Sequence, residues 1–252
     1  MELVLEDTTL TMIVRDEENN PAGGIGSNLP IILPHVKEAV VVDTGSVDNT
    51  LRILRRLKGK FPNLRIYERP FDGFASSRNY SLSKVKTEKA LVLDADELLT
   101  AEDFRKISDF IKLHKFPEYD FSFDFLYPDG NYRYFSPLGR FCGETMTTRL
   151  FDVRGAEFRP RSEHRDCFEE LYHETPITPK YIPVQIKHFF SSHSIRKGEQ
   201  WYENNSFLTQ QPLKNAQKNG WKDFNGWRRL FGNGEKNLEY ESFHKISSLV
   251  AR

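Results

Sequence analysis

Cysteine is nearly absent from this 252-residue chain, and the two that occur, Cys142 and Cys167, stand far apart with no CxxC spacing. That pattern argues against a disulfide framework and a thiolate zinc site, and it fits a reducing compartment. Net charge is absent too: 36 Lys and Arg balance 36 Asp and Glu, so no global field marks the chain for nucleic acid or an acidic partner. No apolar run reaches the roughly 18 residues of a membrane-crossing helix. Met1-Glu2-Leu3-Val4-Leu5-Glu6-Asp7 contains no basic segment leading into an apolar stretch, so a secretory leader is not expected. The sequons at Asn79-Tyr80-Ser81 and Asn204-Asn205-Ser206 then read as chance matches, and a cytoplasmic location is the expectation. Internal repeats and low-complexity linkers are missing as well.

What is present is a strand–helix rhythm in a chain long enough for one large α/β domain. Apolar runs at 10–14, 39–43 and 90–93 read as buried strands, and 64–67 as a more exposed one. Helical spacing occupies 47–57, 74–85 and 101–114, and Ser46 is placed to cap the first of these. Such alternation predicts right-handed crossovers and a mostly parallel sheet with flanking helices. The pattern then changes. Residues 119–125 alternate as a half-wet strand, Asp129-Gly130 signals a hairpin returning through 132–135, and further strands are expected at 147–153 and 184–189. From Ser194 the spacing is helical, and Gln210-Gln211-Pro212 is the best boundary before a basic, aromatic tail at 211–252.

Chemistry concentrates where apolar runs end. Leu93-Asp94-Ala95-Asp96-Glu97 leaves a buried strand in three carboxylates, at the strand end where open α/β sheets bind ligands. Asp94 and Asp96, two apart, suit a hard divalent cation shared with phosphate oxygens. A solvated acidic turn ahead of the helix at Thr100 would read the same way. Asp43 ends a second buried strand before a Gly turn and is given no duty by the following helix.

Taken in order, Arg15-Asp16-Glu17-Glu18, Asp43-Thr44-Gly45-Ser46, Ala75-Ser76-Ser77-Arg78-Asn79 and Asp94-Ala95-Asp96-Glu97 resemble a family 2 glycosyltransferase of the GT-A fold with a DADE-type DxD motif. The likeness continues more weakly through Arg149-Leu150-Phe151, Tyr172-His173-Glu174 and Ile186-Lys187-His188, covering about residues 8–195. It implies a GT-A, Rossmann-like sheet with a smaller antiparallel acceptor-side portion and a helical tail. It also implies hexosyl transfer from a nucleotide sugar, UDP by default, to a glycan, lipid-linked or protein acceptor, with Mn2+ or Mg2+ as cofactor. Domain 1–210 would divide into a nucleotide-binding half (1–115) and an acceptor-side half (116–210).

By the same resemblance Arg15, Glu17, Asp43, Arg78 and Asp94 hold the nucleotide sugar, and Asp96, Asp94 and His188 hold the metal, with His193 a weaker candidate. Inverting transfer needs a base at the acceptor hydroxyl. Glu174 is the first choice, Glu170 the second and Asp166 the third, although Glu169-Glu170 also reads as an exposed acidic face. Relatives often have Asn where Asp16 stands, and Pro21-Ala22-Gly23-Gly24-Ile25-Gly26-Ser27 is an insertion read as a surface loop. That Gly-rich stretch is similar to the phosphate loop of sugar-phosphate nucleotidylyltransferases, which carry Arg where Asn28 stands. Such an enzyme and a non-catalytic scaffold are the alternatives. In the tail, Trp221, Phe224, Trp227 and Phe231 among Lys222, Arg228 and Arg229 could pack on the domain or make peripheral membrane contact.

Overall fold

The computed structural model of the chain describes residues 4–18, 20, 24–126, 132–134, 146–160 and 169–189. Cys142, Cys167, the Asp129-Gly130 turn, Asp166, His193, the segment from Ser194 and the tail 211–252 lie outside the described residues. The first half alternates: β1 (Leu5–Val14), α1 (Gly24–Ile32), β2 (Val36–Asp43), α2 (Thr50–Lys60), β3 (Leu64–Glu68), α3 (Phe74–Leu82) and β4 (Lys89–Val92). Then come β5 (Glu97–Leu98), α4 (Ala101–Leu113), β6 (Glu118–Leu126), β7 (Tyr132–Tyr134), β8 (Met146–Asp152), β9 (Ala156–Pro160), β10 (Glu169–His173) and β11 (Lys180–Phe189).

Among the described residues the strands form one sheet in the order β3-β2-β1-β4-β8-β6-β11-β5, with β7 beside β6, and a separate β9–β10 ribbon. The four strands β3, β2, β1 and β4 run parallel. β8 enters antiparallel between β4 and β6, and β11 runs parallel to β6.

Strand alternation sorts the core onto two faces. Leu10, Met12, Ala39, Val41 and Leu91 pack with Leu29 of α1, Leu54 of α2 and Phe104 of α4. Ala90 and Val92 face the other way, toward Ala75 and Leu82 of α3, Phe151 and the ribbon residue Phe158. Each such Leu or Phe contributes about 1.5–3 kcal/mol through burial. The chain thus winds outward from β1 to β3 with helices on one face and returns to β4 with α3 on the other. That reversal puts a topological switch point between the carboxyl ends of β1 and β4, where a crevice opens.

Three local outcomes differ from the sequence expectation. The Gly-rich stretch is not a surface loop throughout, since α1 begins at Gly24 and buries Gly24 and Ile25. Gly24 has φ +48°, and a Cβ there would lie 2.9 Å from the Glu17 carbonyl oxygen, so only glycine lets the chain turn into the helix at this point. Helix α2 begins at Thr50 rather than 47, and Ser46 does not cap it. Asp48 Oδ1 instead accepts from the Thr50 amide at 2.8 Å. Helix α3 stops at Leu82, three residues early. Helix α4 does begin as expected, with a reciprocal capping box between Thr100 and Asp103.

Candidate active site

Two loops at the carboxyl edge are stitched together. The Asp16 amide donates to Ser46 Oγ (2.9 Å) and the Val47 amide to Asp16 Oδ1 (2.8 Å). The Glu17 amide donates to Thr50 Oγ1 (2.7 Å), and Glu18 Oε2 accepts from the Asn49 amide (3.0 Å). Asp16 has φ +53°, a conformation that Asn and Asp tolerate best after glycine. Arg15 is exposed beside Asp16. Glu17 is buried, and its Oε2 accepts from Asn20 Nδ2 at 2.6 Å, a structural task not read from the sequence.

Asp43, at the end of β2, is 2% exposed. Contrary to expectation it has a turn duty: Oδ1 accepts from the Gly45 and Ser46 amides at 3.0 and 2.9 Å. Its Oδ2 is buried without a hydrogen-bond partner. A buried, unsatisfied carboxylate oxygen costs more than 1 kcal/mol, and a ligand N–H would remove that cost.

Beyond β4 the chain turns at Asp94-Ala95-Asp96-Glu97. The Glu97 amide donates to the Asp94 carbonyl (3.0 Å), while Glu97 Oε2 accepts from the Asp94 amide (2.9 Å). Asn28 of α1 supports the turn from below, its Nδ2 donating to the Ala95 carbonyl at 2.7 Å. Two arginines flank Asp94. Buried Arg78 of α3 donates to its Oδ1, and Arg149 of β8 lies 3.9 Å from its Oδ2. Burial would raise the Asp94 carboxyl, but the two guanidinium groups outweigh it and hold the pKa at about 2. Arg78 also donates through Nε to Glu169 Oε1 (3.0 Å), while its Nη1 is buried and unpartnered.

His188 of β11 faces the same turn, with Nε2 3.6 Å from Asp96 Oδ2 and Nδ1 3.6 Å from Glu97 Oε1. Burial pulls the imidazole down, yet Asp96, Glu97 and Asp94 raise it to about 9. Glu97 is fully buried, and desolvation pushes its carboxyl up against the pull of Arg149. Among the described residues no three His, Cys, Asp or Glu side chains form a ready coordination shell. Asp96 and His188 nevertheless fit one cation. Ligands about 2.1 Å from a shared ion sit roughly 3–3.5 Å apart, close to the spacing observed.

The ribbon separates the expected base candidates. Glu169 and Glu170 lie at its Asp94 end, Glu169 turned inward onto Arg78 and Glu170 exposed on the outer face. Glu174 follows His173, whose ring bonds the Asp152 carbonyl (3.1 Å) and pairs with Glu118. Asp152 in turn pairs with Lys89, the first residue of β4. Four extended residues, about 13 Å, therefore part His173 from Glu169. Glu174 consequently sits toward the amino edge of the sheet, away from Asp94 and Asp96, contrary to the sequence expectation. A two-strand ribbon can place neighbouring motif residues at opposite edges, which local sequence does not reveal.

Residues 33–155 match the family model described as Glycosyl transferase family 2. This segment belongs to glycosyltransferase family 2. The glycosyltransferase segment also aligns with two curated relatives from Pasteurella multocida, a chondroitin synthase and a hyaluronan synthase. Each is 37% identical over 62 residues, 25% of this chain and only 6% of the relative's length. Among solved structures, S. aureus TarS superposes with a TM-score of 0.53 at 14% identity, over 98% of this chain and 49% of TarS. TarS residues 1–349 with UDP-GlcNAc give 0.51 at 14% identity, over 74% and 59% of the two chains. The mannosyltransferase PcManGT from Pyrobaculum calidifontis, in complex with GDP-Man and Mn2+, gives 0.50 at 18% identity, over 98% and 72%. At these identities the likeness establishes the GT-A fold.

Sequence reasoning missed three participants in this glycosyltransferase site. Glu169 was passed over for its neighbour Glu170, because strand alternation leaves only one of two adjacent residues facing inward. Arg149 stood in a quoted motif without a role. Glu97 was seen as a third carboxylate of the run, and its complete burial was not visible there.

Proposed function

We propose that the chain transfers a sugar from a nucleotide donor to an acceptor hydroxyl with inversion, assisted by Mn2+ or Mg2+. The observation that carries the reading is a spacing. The unpartnered Asp43 oxygen ends β2 and the Asp94-Ala95-Asp96 turn follows β4, with β1 between them. Two strand separations are about 10 Å, the span between the base and the diphosphate of a bound nucleotide. Support comes from TarS, bound to UDP-GlcNAc, and PcManGT, bound to GDP-Man and Mn2+.

In this reading Asp43 Oδ2 accepts an N–H of the base, with Arg15 and Glu17 in the adjoining loop. Asp94, neutralised by Arg78 and Arg149, faces the donor rather than taking the metal. Asp96 and His188 hold the cation, and diphosphate oxygens complete its shell. The cation's chemistry is to offset the charge that develops on the leaving nucleoside diphosphate. The acceptor oxygen bonds to the anomeric carbon as the bond to the diphosphate breaks, and its proton passes to a carboxylate. Of the carboxylates weighed from sequence, Glu170 lies at the correct end of the ribbon, and we assign it that role. Residues 1–115 would form the donor half and 116–210 the acceptor half, with 211–252 packed on the domain or at a membrane surface.

The nucleotidylyltransferase alternative finds no support at Asn28, which is buried in α1 and bonded to the Ala95 carbonyl instead of lying in a phosphate loop. The test is release of nucleoside diphosphate from a panel of UDP-, GDP- and dTDP-sugars with Mn2+. Cleavage of one donor, rising with added acceptor glycans, is expected. Pyrophosphate formation from a sugar phosphate and a nucleoside triphosphate would instead establish the nucleotidylyltransferase.

A further inference from the structure

We propose that Glu97 is a positioning residue, one carboxylate that fixes both the Asp94-Ala95-Asp96 turn and the ring of His188 so that His188 Nε2 faces the cation site at Asp96. The inference rests on the metal-assisted reading given above. Its basis is geometric. Glu97 is completely buried at the start of β5, opposite His188 in the β11 register. Its two oxygens are divided between two tasks. Oε2 accepts from the Asp94 amide at 2.9 Å and closes the turn. Oε1 accepts from Arg149 Nη2 at 2.7 Å and lies 3.6 Å from His188 Nδ1. The other ring nitrogen, Nε2, points to Asp96 Oδ2, also at 3.6 Å. The imidazole therefore stands between a buried carboxylate and a half-exposed one. Phe123 lies against the histidine ring edge-on, centroids 6.1 Å apart, and under the Arg149 guanidinium at 5.2 Å, so both neighbours of Glu97 share one apolar support.

A ligating histidine commonly donates its second ring N–H to a carboxylate, which sets the tautomer and makes the ligating nitrogen more basic. Glu97 stands where that partner is required. With Nδ1–H directed at Glu97, the Nε2 lone pair is left for the cation. A solvated acidic turn would not need its third carboxylate removed from water. A merely structural Glu97–Arg149 pair would not need the histidine.

The test is Mn2+ affinity in the presence of UDP, read by Mn2+ electron paramagnetic resonance, together with thermal melting. The proteins are wild type, Asp96→Ala, His188→Ala, Glu97→Gln, Glu97→Asp and the Glu97→Gln/His188→Ala double variant. Asp96→Ala is expected to abolish binding, and each Glu97 variant to weaken it about 10- to 100-fold. The double variant should bind no worse than His188→Ala alone, because Glu97 acts through that ring. Should Glu97→Gln strand Arg149 and fail to fold, Glu97→Asp keeps the charge and carries the measurement. Wild-type affinity in the Glu97 variants, or losses that multiply in the double variant, would overturn the proposal while leaving the metal site standing. Wild-type affinity in Asp96→Ala would bring down the metal reading itself and this inference with it.

Discussion

Two histidines sit beside carboxylates at opposite edges of the same sheet. At the carboxyl edge His188 stands between Asp96 and Glu97, next to two arginines that each retain a buried, unpartnered nitrogen. At the amino edge His173 pairs with Glu118 and bonds the Asp152 carbonyl, while Lys89 neutralises Asp152. The residue types are alike, yet only the first group surrounds the switch point and leaves donors and acceptors for a ligand. The second ties the ribbon to the ends of β4, β6 and β8. Position on the sheet and unfilled hydrogen-bonding capacity, more than residue type, separate a site from a latch.

The comparison can be broken most forcefully by exchanging the damage. Asp96→Ala should lower kcat by at least about 10²–10³-fold with no shift in melting temperature beyond about 2 °C. His173→Ala should do the reverse, costing about 2–4 kcal/mol in urea denaturation, because it leaves Glu118 buried without its partner, while kcat of the folded enzyme stays near wild type. Equal effects of both variants on activity would erase the distinction between the edges.

The two ends of the ribbon sharpen it next. Glu170→Gln should reduce kcat about 10²–10⁴-fold with donor affinity unchanged, whereas Glu174→Gln should leave kcat within about twofold. Steady-state kinetics on both variants decide between the carboxylates.

Much of this was legible beforehand. The apolar runs of β1, β2 and β4 are buried on both faces and have no other reading, so the carboxylates that end them, Asp43, Asp94 and Asp96, fell at the correct edge. The illegible part was set by tertiary pairing. Ser46 looked like a helix cap until Asp16 claimed its hydroxyl. Glu170 and Glu174 looked equivalent until the ribbon register with β9 put them toward opposite ends. The glycines at 24 and 26 looked like loop because nothing local shows that Ile25 and Asn28 are buried beneath the Asp94 turn.

The smallest expected effect is electrostatic, and the two edges titrate in opposite senses. Asp94 has a folded pKa of about 2, below its ordinary 3.8. Its stabilisation is present above pH 3.8 and is lost as pH falls through about 2. Asp94→Asn should therefore cost about 1–2 kcal/mol at pH 7, discounted for partial exposure, and nearly nothing at pH 2. Burial, opposed by His173, raises the Glu118 carboxyl above its ordinary 4.5. Its contribution is full below that value and declines as pH rises through the folded pKa. Urea midpoints for Asp94→Asn and Glu118→Gln against wild type across this range should thus diverge in opposite directions.

The central claim is that Asp96 and His188 hold a cation that brings a nucleoside diphosphate to the carboxyl edge. Calorimetric titration of UDP, GDP and dTDP with and without Mn2+, on wild type and Asp96→Ala, tests it most directly. The account predicts tight binding of one nucleotide only with Mn2+, lost in Asp96→Ala. Binding of equal strength without metal, or retained in Asp96→Ala, would contradict it.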